Sequence, residues 1–380
     1  MKFFSIKQLR KDLQKIAKSF FQFLFLILYG KISKVIDAKT ADNVKISEIS
    51  KNKITYKVYF VKNARLYTDR IDDTAIITQN KIIEGPSYQL RADIKNKSLQ
   101  KDNSKASDNI VIRKGTPRIK KRIKGKVLSL LSGGGANDNF FHWLYDVLPR
   151  LALFDELKEE DSPKYILVPN YDQLFQKQTL DLLGFDKKRI LSSKNFRHIE
   201  CEEIIVTDHP YNVTNNTIVD NEKIPQWISE WLKLKFLKKK TKSNDIIKRV
   251  YIDRDDEDPK RLSHRRIINE EDLRSFLKQK NFTFVKLSKL HFSEQIEIFN
   301  NAEIIIGLHG AGFGNLPFCK PNTKILEFRT KETGKILENI ALTNKLNFHT
   351  LEVVPKEFAS QQHGLIEVSI KELRKIILDF

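Results

Sequence analysis

Three groups of residues in this 380-residue chain have the types and spacing to do chemistry. The first is the turn His309-Gly310-Ala311-Gly312, followed by Asn315 and, on the next apolar run, Glu327. An imidazole among glycines can hold an anion or move a proton, and glycines let backbone N–H groups approach a phosphate with no Cβ in the way. The second is Asn139, His142 and Asp146. In a helix capped by Asp138 or Asn139, His142 and Asp146 are i and i+4 and share a face, so an imidazole or carboxylate is available there as a base. The glycines Gly133, Gly134 and Gly135 precede that helix. The third is Arg254, Arg265 and Arg266, guanidinium groups suited to a diphosphate. Each group also has a plainer reading: a structural loop histidine, a helix-capping pair, a solvated basic loop.

The elements that must position these residues read as α/β. Glu303 to Ile306 is a short apolar, β-branched run, as in a buried parallel strand, and the glycine turn follows it at once. Asn315 to Phe318 then opens a helix, and Lys324 to Phe328 is the next strand. Backbone N–H groups at the carboxyl edge of such a sheet hold anionic ligands. The glycines do not have the G-x-G-x-x-G spacing of a dinucleotide site. Upstream, Arg249 to Asp253 and Phe282 to Leu287 read as strands, and the helices begin at Asn269 and Ser293, which makes a doubly wound half. Tyr165 to Val168 and Glu203 to Thr207, with a helix from Tyr171 to Leu183, imply a parallel sheet in an earlier domain. Lys126 to Leu131 is a further strand. The basic stretch from Ala92 to Ile123 reads as surface loop and edge strand. The basic helix from Trp227 to Lys240 marks the boundary between the two domains.

The formal net charge of +20 points to acidic partners: nucleic acid, anionic lipid or phosphorylated substrates. Two distant cysteines, Cys201 and Cys319, give no zinc or disulfide framework and fit a reducing cytosol. At the start of the chain, Lys2, Lys7, Arg10, Lys11, Lys15 and Lys18 precede an apolar, aromatic run of about ten residues from Phe20 to Tyr29, with Lys31 and Lys34 after it. That run falls short of the ~18–20 residues a spanning helix needs. A core helix and a basic helix lying in an anionic membrane interface are the two readings, and the flanking lysines favour the second.

Asn139, His142, Trp143, Asp146, Leu148, Pro149, Arg150 and Leu151 resemble the N-x-x-H-W-x-x-D-x-L-P-R-L signature of family 61 glycosyltransferases. Tyr251-Ile252-Asp253-Arg254, the run from Arg265 to Glu270, Glu294-Gln295-Ile296, the turn at His309 with Asn315, and Glu327 extend the likeness in the same order over Leu128 to Phe328. Asp253 stands where the family usually has serine, so hydroxyl roles there do not transfer. The resemblance implies a GT-B-like α/β fold: two Rossmann-type domains facing a cleft, here with an N-terminal basic apolar helix. The domains expected are 1–38 for the helix, 39–240 for the acceptor side and 241–380 for the nucleotide sugar. It implies an inverting hexosyl or pentosyl transferase (EC 2.4) acting from a nucleotide-sugar donor on a glycan, lipid-linked or other hydroxyl acceptor, as in bacterial cell-surface polysaccharide or capsule synthesis.

On this reading Asp146 and His142 are catalytic. Arg254, Arg265, Arg266, His309, Gly310, Ala311, Gly312, Asn315 and Glu327 bind the donor, with Glu327 accepting from a ribose. No cofactor is expected, and a metal is dispensable if arginines and N–H groups stabilise the leaving diphosphate. Asp253-Arg254-Asp255 has D-x-D spacing, but Arg254 is better placed on phosphate. The expected location is cytoplasmic, at the inner face of the membrane. The alternatives are a catalytically inactive glycan-binding or nucleic-acid-binding protein, although no aromatics interleave the basic loops to stack on bases. An α/β hydrolase is excluded because no G-x-S-x-G elbow accompanies the H-G-A-G turn.

Overall fold

The computed structural model describes residues 6–68, 74–87, 106–131, 138–158, 162–211, 213, 220, 222–241, 246–254, 266–331, 333–353, 365–378 and 380. The chain forms two compact units, each built from three stretches. One comprises Met1–Asp138, Asp146–Tyr171 and Phe185–Thr217, the other Asn139–Tyr145, Asp172–Gly184 and Ile218–Phe380. The boundary expected at residue 240 lies earlier, because the helix Gln226–Phe236 packs with the second unit. There Phe236 meets Phe292 edge-on at 5.2 Å, and Asn344 Nδ2 donates to Ser229 Oγ at 3.1 Å.

The first unit begins with the helix Ile6–Tyr29. Its strands are β1 (Lys34–Asp37), β2 (Val44–Lys51), β3 (Ile54–Thr68), β4 (Thr74–Thr78), β5 (Lys81–Glu84), β6 (Lys121–Ser129), β7 (Tyr165–Val168), β8 (Ile190–Ser192) and β9 (His198–Thr207). They form one sheet in the order β1-β5-β4-β3-β9-β6-β7-β8, with β2 on β3. The expected parallel sheet is present as β9-β6-β7-β8, and β3 joins its own hairpin partners antiparallel to β9. Alternation along β3 buries Val61, Ala64 and Leu66 against Val127, Leu167 and Ile204. Burial of each large aliphatic side chain contributes about 1.5–3 kcal/mol. The basic residues read as an edge strand open β6, which is an inner strand. Opposite charges on β9 explain this: Lys120 Nζ and Arg122 Nε reach Glu200 at 2.8 and 3.1 Å, and Lys126 Nζ reaches Glu203 at 3.3 Å.

The second unit contains β10 (Arg249–Ile252), β11 (Arg266–Ile267), β12 (Thr283–Val285), β13 (Ile304–Leu308), β14 (Lys324–Arg329), β15 (Asn347–Glu352) and β16 (Leu365–Ile366). Five of them form an all-parallel sheet in the order β12-β10-β13-β14-β15, and β11 pairs with β16. Counted within this sheet the order is 2-1-3-4-5, a doubly wound arrangement whose switch point lies between β10 and β13. The helix Glu270–Gln279 places Leu273, Phe276 and Leu277 on one face, packed with Tyr251, Ile306 and Phe328. Its first turn carries Glu270, Glu271 and Asp272, which complement the helix dipole. The helix expected at Asn315 begins earlier, at Ala311, and is a 3-10 helix through Phe318.

Candidate active site

At the switch point, β13 ends at Leu308 and the chain turns through His309, Gly310, Ala311 and Gly312. All four are half-buried, whereas Phe313 to Cys319 are buried, so the turn is the accessible rim of this edge. Arg254 follows the neighbouring strand β10. A Cβ built on Gly310 would lie 3.7 Å from Arg254 Nη2 and would meet no closer atom. Gly310 has φ 172°, extended backbone that any residue adopts. Neither conformation nor packing therefore requires glycine at 310, and its lack of a side chain leaves space beside a guanidinium.

Gly312 and Gly307 differ. A Cβ on Gly312 would lie 2.9 Å from Leu287 Cδ1, and one on Gly307 would lie 3.1 Å from Ile252 Cβ. Those two glycines admit close packing between strand, turn and helix. Packing alone thus accounts for glycine at 312, apart from the donor contact expected of its N–H group.

Glu327 on β14 is fully buried, and its Oε1 meets His309 Nδ1. Its Oε2 lies 3.6 Å from Arg329 Nη1, and Arg329 Nη2 lies 3.6 Å from Glu338. A carboxylate at 0% exposure between two side chains is not a ribose acceptor. Instead it holds the proton on Nδ1 and sets the plane of the imidazole, which itself is 16% exposed. Asn315 is likewise corrected. It is fully buried and donates from Nδ2 to Gln295 Oε1 at 3.0 Å and to Gly312 O at 3.3 Å, bracing the turn from behind. Asp253 receives Arg274 Nη2 at 2.5 Å, an ion pair that removes it from any D-x-D role. Arg266 lies on β11; Arg265, Asp255 and the glycines Gly133, Gly134 and Gly135 lie outside the described residues.

The second constellation is organised differently from expectation. Asn139 caps a short α-helix, Phe140–His142, its Oδ1 accepting from the N–H groups of Phe141 and His142 at 2.9 and 3.3 Å. The next turn, Trp143–Val147, is π-helical, and Pro149 then opens the helix Pro149–Asp155. The residues up to Tyr145 belong to the second unit. Trp143 Nε1 donates to Thr179 Oγ1 at 2.8 Å, and the Tyr145 hydroxyl donates to Gly314 O at 3.2 Å. From Asp146 onward the chain belongs to the first unit.

His142, half-buried, and Asp146, 1% exposed, therefore do not form a two-residue face of one regular α-helix. The imidazole paired with Asp146 is His209, whose Nε2 lies 3.9 Å from Asp146 Oδ2. Tyr211 stands edge-on to His209 at 4.5 Å and bonds its hydroxyl to Asp146; burial and then that carboxylate raise the phenol well above its ordinary value. Arg150 Nε donates to Asp146 O at 3.0 Å and Nη1 to Thr207 O at 2.8 Å. Burial brings this guanidinium down to about 10, against the pull of Asp146 and Asp208.

His209 and Tyr211 follow β9, one strand over from β6. A histidine just past a parallel strand was the signal for them, and reading the strand only to Thr207 stops short of it. What this cluster can do chemically is hold a buried carboxylate between a neutral acid, Tyr211, and two nitrogen groups.

The family model of glycosyltransferase 61 matches residues 140–326. That interval contains the π-turn, Arg254 and the glycine turn, and ends one residue before Glu327. An EGF domain-specific O-linked N-acetylglucosamine transferase from Gallus gallus is 30% identical over 104 residues, 26% of this chain. The match spans only 19% of that relative's length. Residues 140–326, with the turn and the Asp146 segment inside them, are thus a glycosyltransferase family 61 region.

Proposed function

We propose that this protein transfers a sugar from a nucleotide-sugar donor to a hydroxyl of a glycan or lipid-linked acceptor, with inversion, in the synthesis of cell-surface polysaccharide. The observation that carries the proposal is the gap at Gly310. Open α/β sheets take ligands at the carboxyl ends of strands flanking the switch point. Here those ends supply Arg254 on one strand and, 3.7 Å from its guanidinium, the position a Gly310 Cβ would fill. That space suits a donor diphosphate, and the family resemblance adds Arg265 and Arg266 to the groups proposed to bind it. His309, its ring fixed by Glu327, is the imidazole at the rim that meets the leaving diphosphate.

In an inverting transfer the acceptor oxygen attacks C1 from the face opposite the leaving group. The C1–O bond to the diphosphate breaks through an oxocarbenium-like state, and the acceptor proton passes to a base. We assign that proton to Asp146 and acceptor contact to His142. Tyr211 and His209 hold the Asp146 carboxylate, as their contacts with it support. The guanidinium groups take the charge that develops on the diphosphate. Incubation with nucleoside diphosphates and then nucleotide sugars in a thermal-shift screen tests the donor class, since a ligand that binds only the folded state raises Tm by mass action. NMR of the product anomer tests inversion. No stabilisation by any nucleoside diphosphate would count against the proposal.

A further inference from the structure

The helix Ile6–Tyr29 carries nine of the seventeen large hydrophobic side chains that are exposed among the described residues. Leu9, Leu13, Ile16, Phe20, Leu24 and Ile27 recur at three- and four-residue intervals and so form one stripe along its length. Its last turns are fixed to the first unit by other residues. Phe25 stacks on Tyr29 at 5.6 Å, and Tyr29 stands edge-on to His198 at 5.0 Å. The Tyr29 hydroxyl accepts from the Lys120 N–H at 3.1 Å, and Leu26 lies over Gly115, 2.7 Å from where a Cβ there would sit.

At about 100° per residue, Phe25 and Tyr29 lie roughly half a turn from the stripe. The attachment therefore turns the stripe away from the sheet that holds the helix. The stripe from Leu9 to Leu24 precedes these attached residues, and its side chains are exposed along that whole length.

Charge decides what covers it. The helix has five basic residues, Lys7, Arg10, Lys11, Lys15 and Lys18, against one acid, Asp12. A second copy set in parallel would bring these like charges side by side, and an antiparallel copy would lay the basic half of each helix along the apolar half of the other, with Asp12 the one acid in either helix to answer them. No helix of the described residues is long and apolar enough to cross a membrane, so insertion end-on is not the use of this one. A stripe of Leu, Ile and Phe, with a cationic remainder and a firm attachment on the far side, fits the plane of an anionic lipid interface.

We propose that this helix docks the protein on an anionic membrane surface, its Leu9-to-Ile27 stripe buried among acyl chains and its cations on lipid phosphates. The inference is independent of the sugar-transfer reading, because the assay needs neither donor nor acceptor. Full-length protein is sedimented with vesicles of phosphatidylglycerol and phosphatidylcholine, and with vesicles of phosphatidylcholine alone. The expected result is binding to the first at least about tenfold tighter than to the second, weakening as salt rises. The double variant Ile16→Glu, Phe20→Glu should lose roughly a hundredfold in vesicle affinity. Its circular dichroism and Tm should be unchanged, because both side chains are exposed, at 67% and 62%. Phe23→Trp supplies a second readout, with a blue-shifted emission on anionic vesicles.

Three results would overturn the proposal. One is wild-type protein that stays in the supernatant with both vesicle types. Another is equal, salt-independent binding to the two. The third is a dimer in sedimentation velocity that the double variant abolishes, with no vesicle binding, which would assign the stripe to a second copy of the chain.

Discussion

Two buried carboxylates sit beside imidazoles in this protein, and they are held in different ways. Glu327 touches His309 directly and has Arg329 on its other oxygen, at 3.6 Å. Asp146 is 3.9 Å from His209, too long for a hydrogen bond, and accepts one from the Tyr211 hydroxyl. The first arrangement fixes a ring: the carboxylate lies behind an imidazole that reaches the rim. The second surrounds a carboxylate with a phenol, an imidazole beyond hydrogen-bonding distance and the Arg150 guanidinium. Burial alone, 0% for Glu327 and 1% for Asp146, does not separate the two roles; their partners do.

The comparison breaks first at Glu327. Glu327→Gln removes the buried charge between His309 and Arg329 and leaves the mostly buried guanidinium with Glu338 alone. Losing one partner of a buried pair costs about 3–5 kcal/mol, so Tm should fall steeply. A Tm within two or three degrees of wild type by calorimetry would show that the pair does not hold the turn (roughly 1 kcal/mol or less).

Asp146→Asn should act on turnover instead, lowering kcat by about 10²–10⁴-fold while donor affinity is kept. If the variant folds and turns over near the wild-type rate, Asp146 is a structural acid like Glu327, and the contrast fails.

A smaller effect concerns pH. Burial, aided by the neighbouring Arg65 and Lys120, lowers His198 from its ordinary 6.5 to about 4. The unfolded chain therefore binds a proton that the fold refuses between those values. Its contribution is complete above about pH 6.5 and is lost as pH falls to about 4, a change of roughly 3 kcal/mol. Denaturant melts across that window should steepen accordingly, and His198→Asn should flatten the slope. Because His198 also meets Tyr29, this residue reports on the anchor of the N-terminal helix.

The finest comparison is between two glycines two residues apart. Gly312→Ala should cost about 1–3 kcal/mol, since its Cβ would press on Leu287 at 2.9 Å. Gly310→Ala should change stability by less than about 0.5 kcal/mol, since the nearest atoms, Arg254 Nη2 and Leu308 O, are both at 3.7 Å, ordinary contact distance. Equal losses in Tm would remove the distinction between a packing glycine and a ligand glycine.

The second unit was largely legible because its strands and helices alternate locally. Ile304 to Leu308 and Lys324 to Arg329 announce themselves as apolar runs, and Gly310 falls where such a run must turn. The first unit was less so. Nothing near His198 to Thr207 in sequence says that this strand inserts between β3 and β6, yet that pairing is what brings His209 and Tyr211 to Asp146. Residue types do not distinguish a π-turn at Trp143–Val147 from an ordinary helix either, so Asp146 was paired with His142. Glu327 and Asn315 stand out in the sequence as site residues, but the groups that hold them, His309 and Arg329 for one and Gln295 and Gly312 for the other, are set by the fold, and those partners make them braces. Gly310 and Gly312 look alike until the atoms around them are placed.

In the proposed site a donor diphosphate occupies the space that Gly310 leaves beside Arg254. Isothermal calorimetry of a nucleoside diphosphate against wild type, Gly310→Val and Arg254→Ala tests it most directly. Affinity should fall about 10–150-fold in Arg254→Ala, from loss of a charge-assisted contact of about 1.5–3 kcal/mol. It should fall at least as far in Gly310→Val, whose Tm without ligand should match wild type. A Gly310→Val protein that binds the diphosphate as tightly as wild type does would contradict that placement.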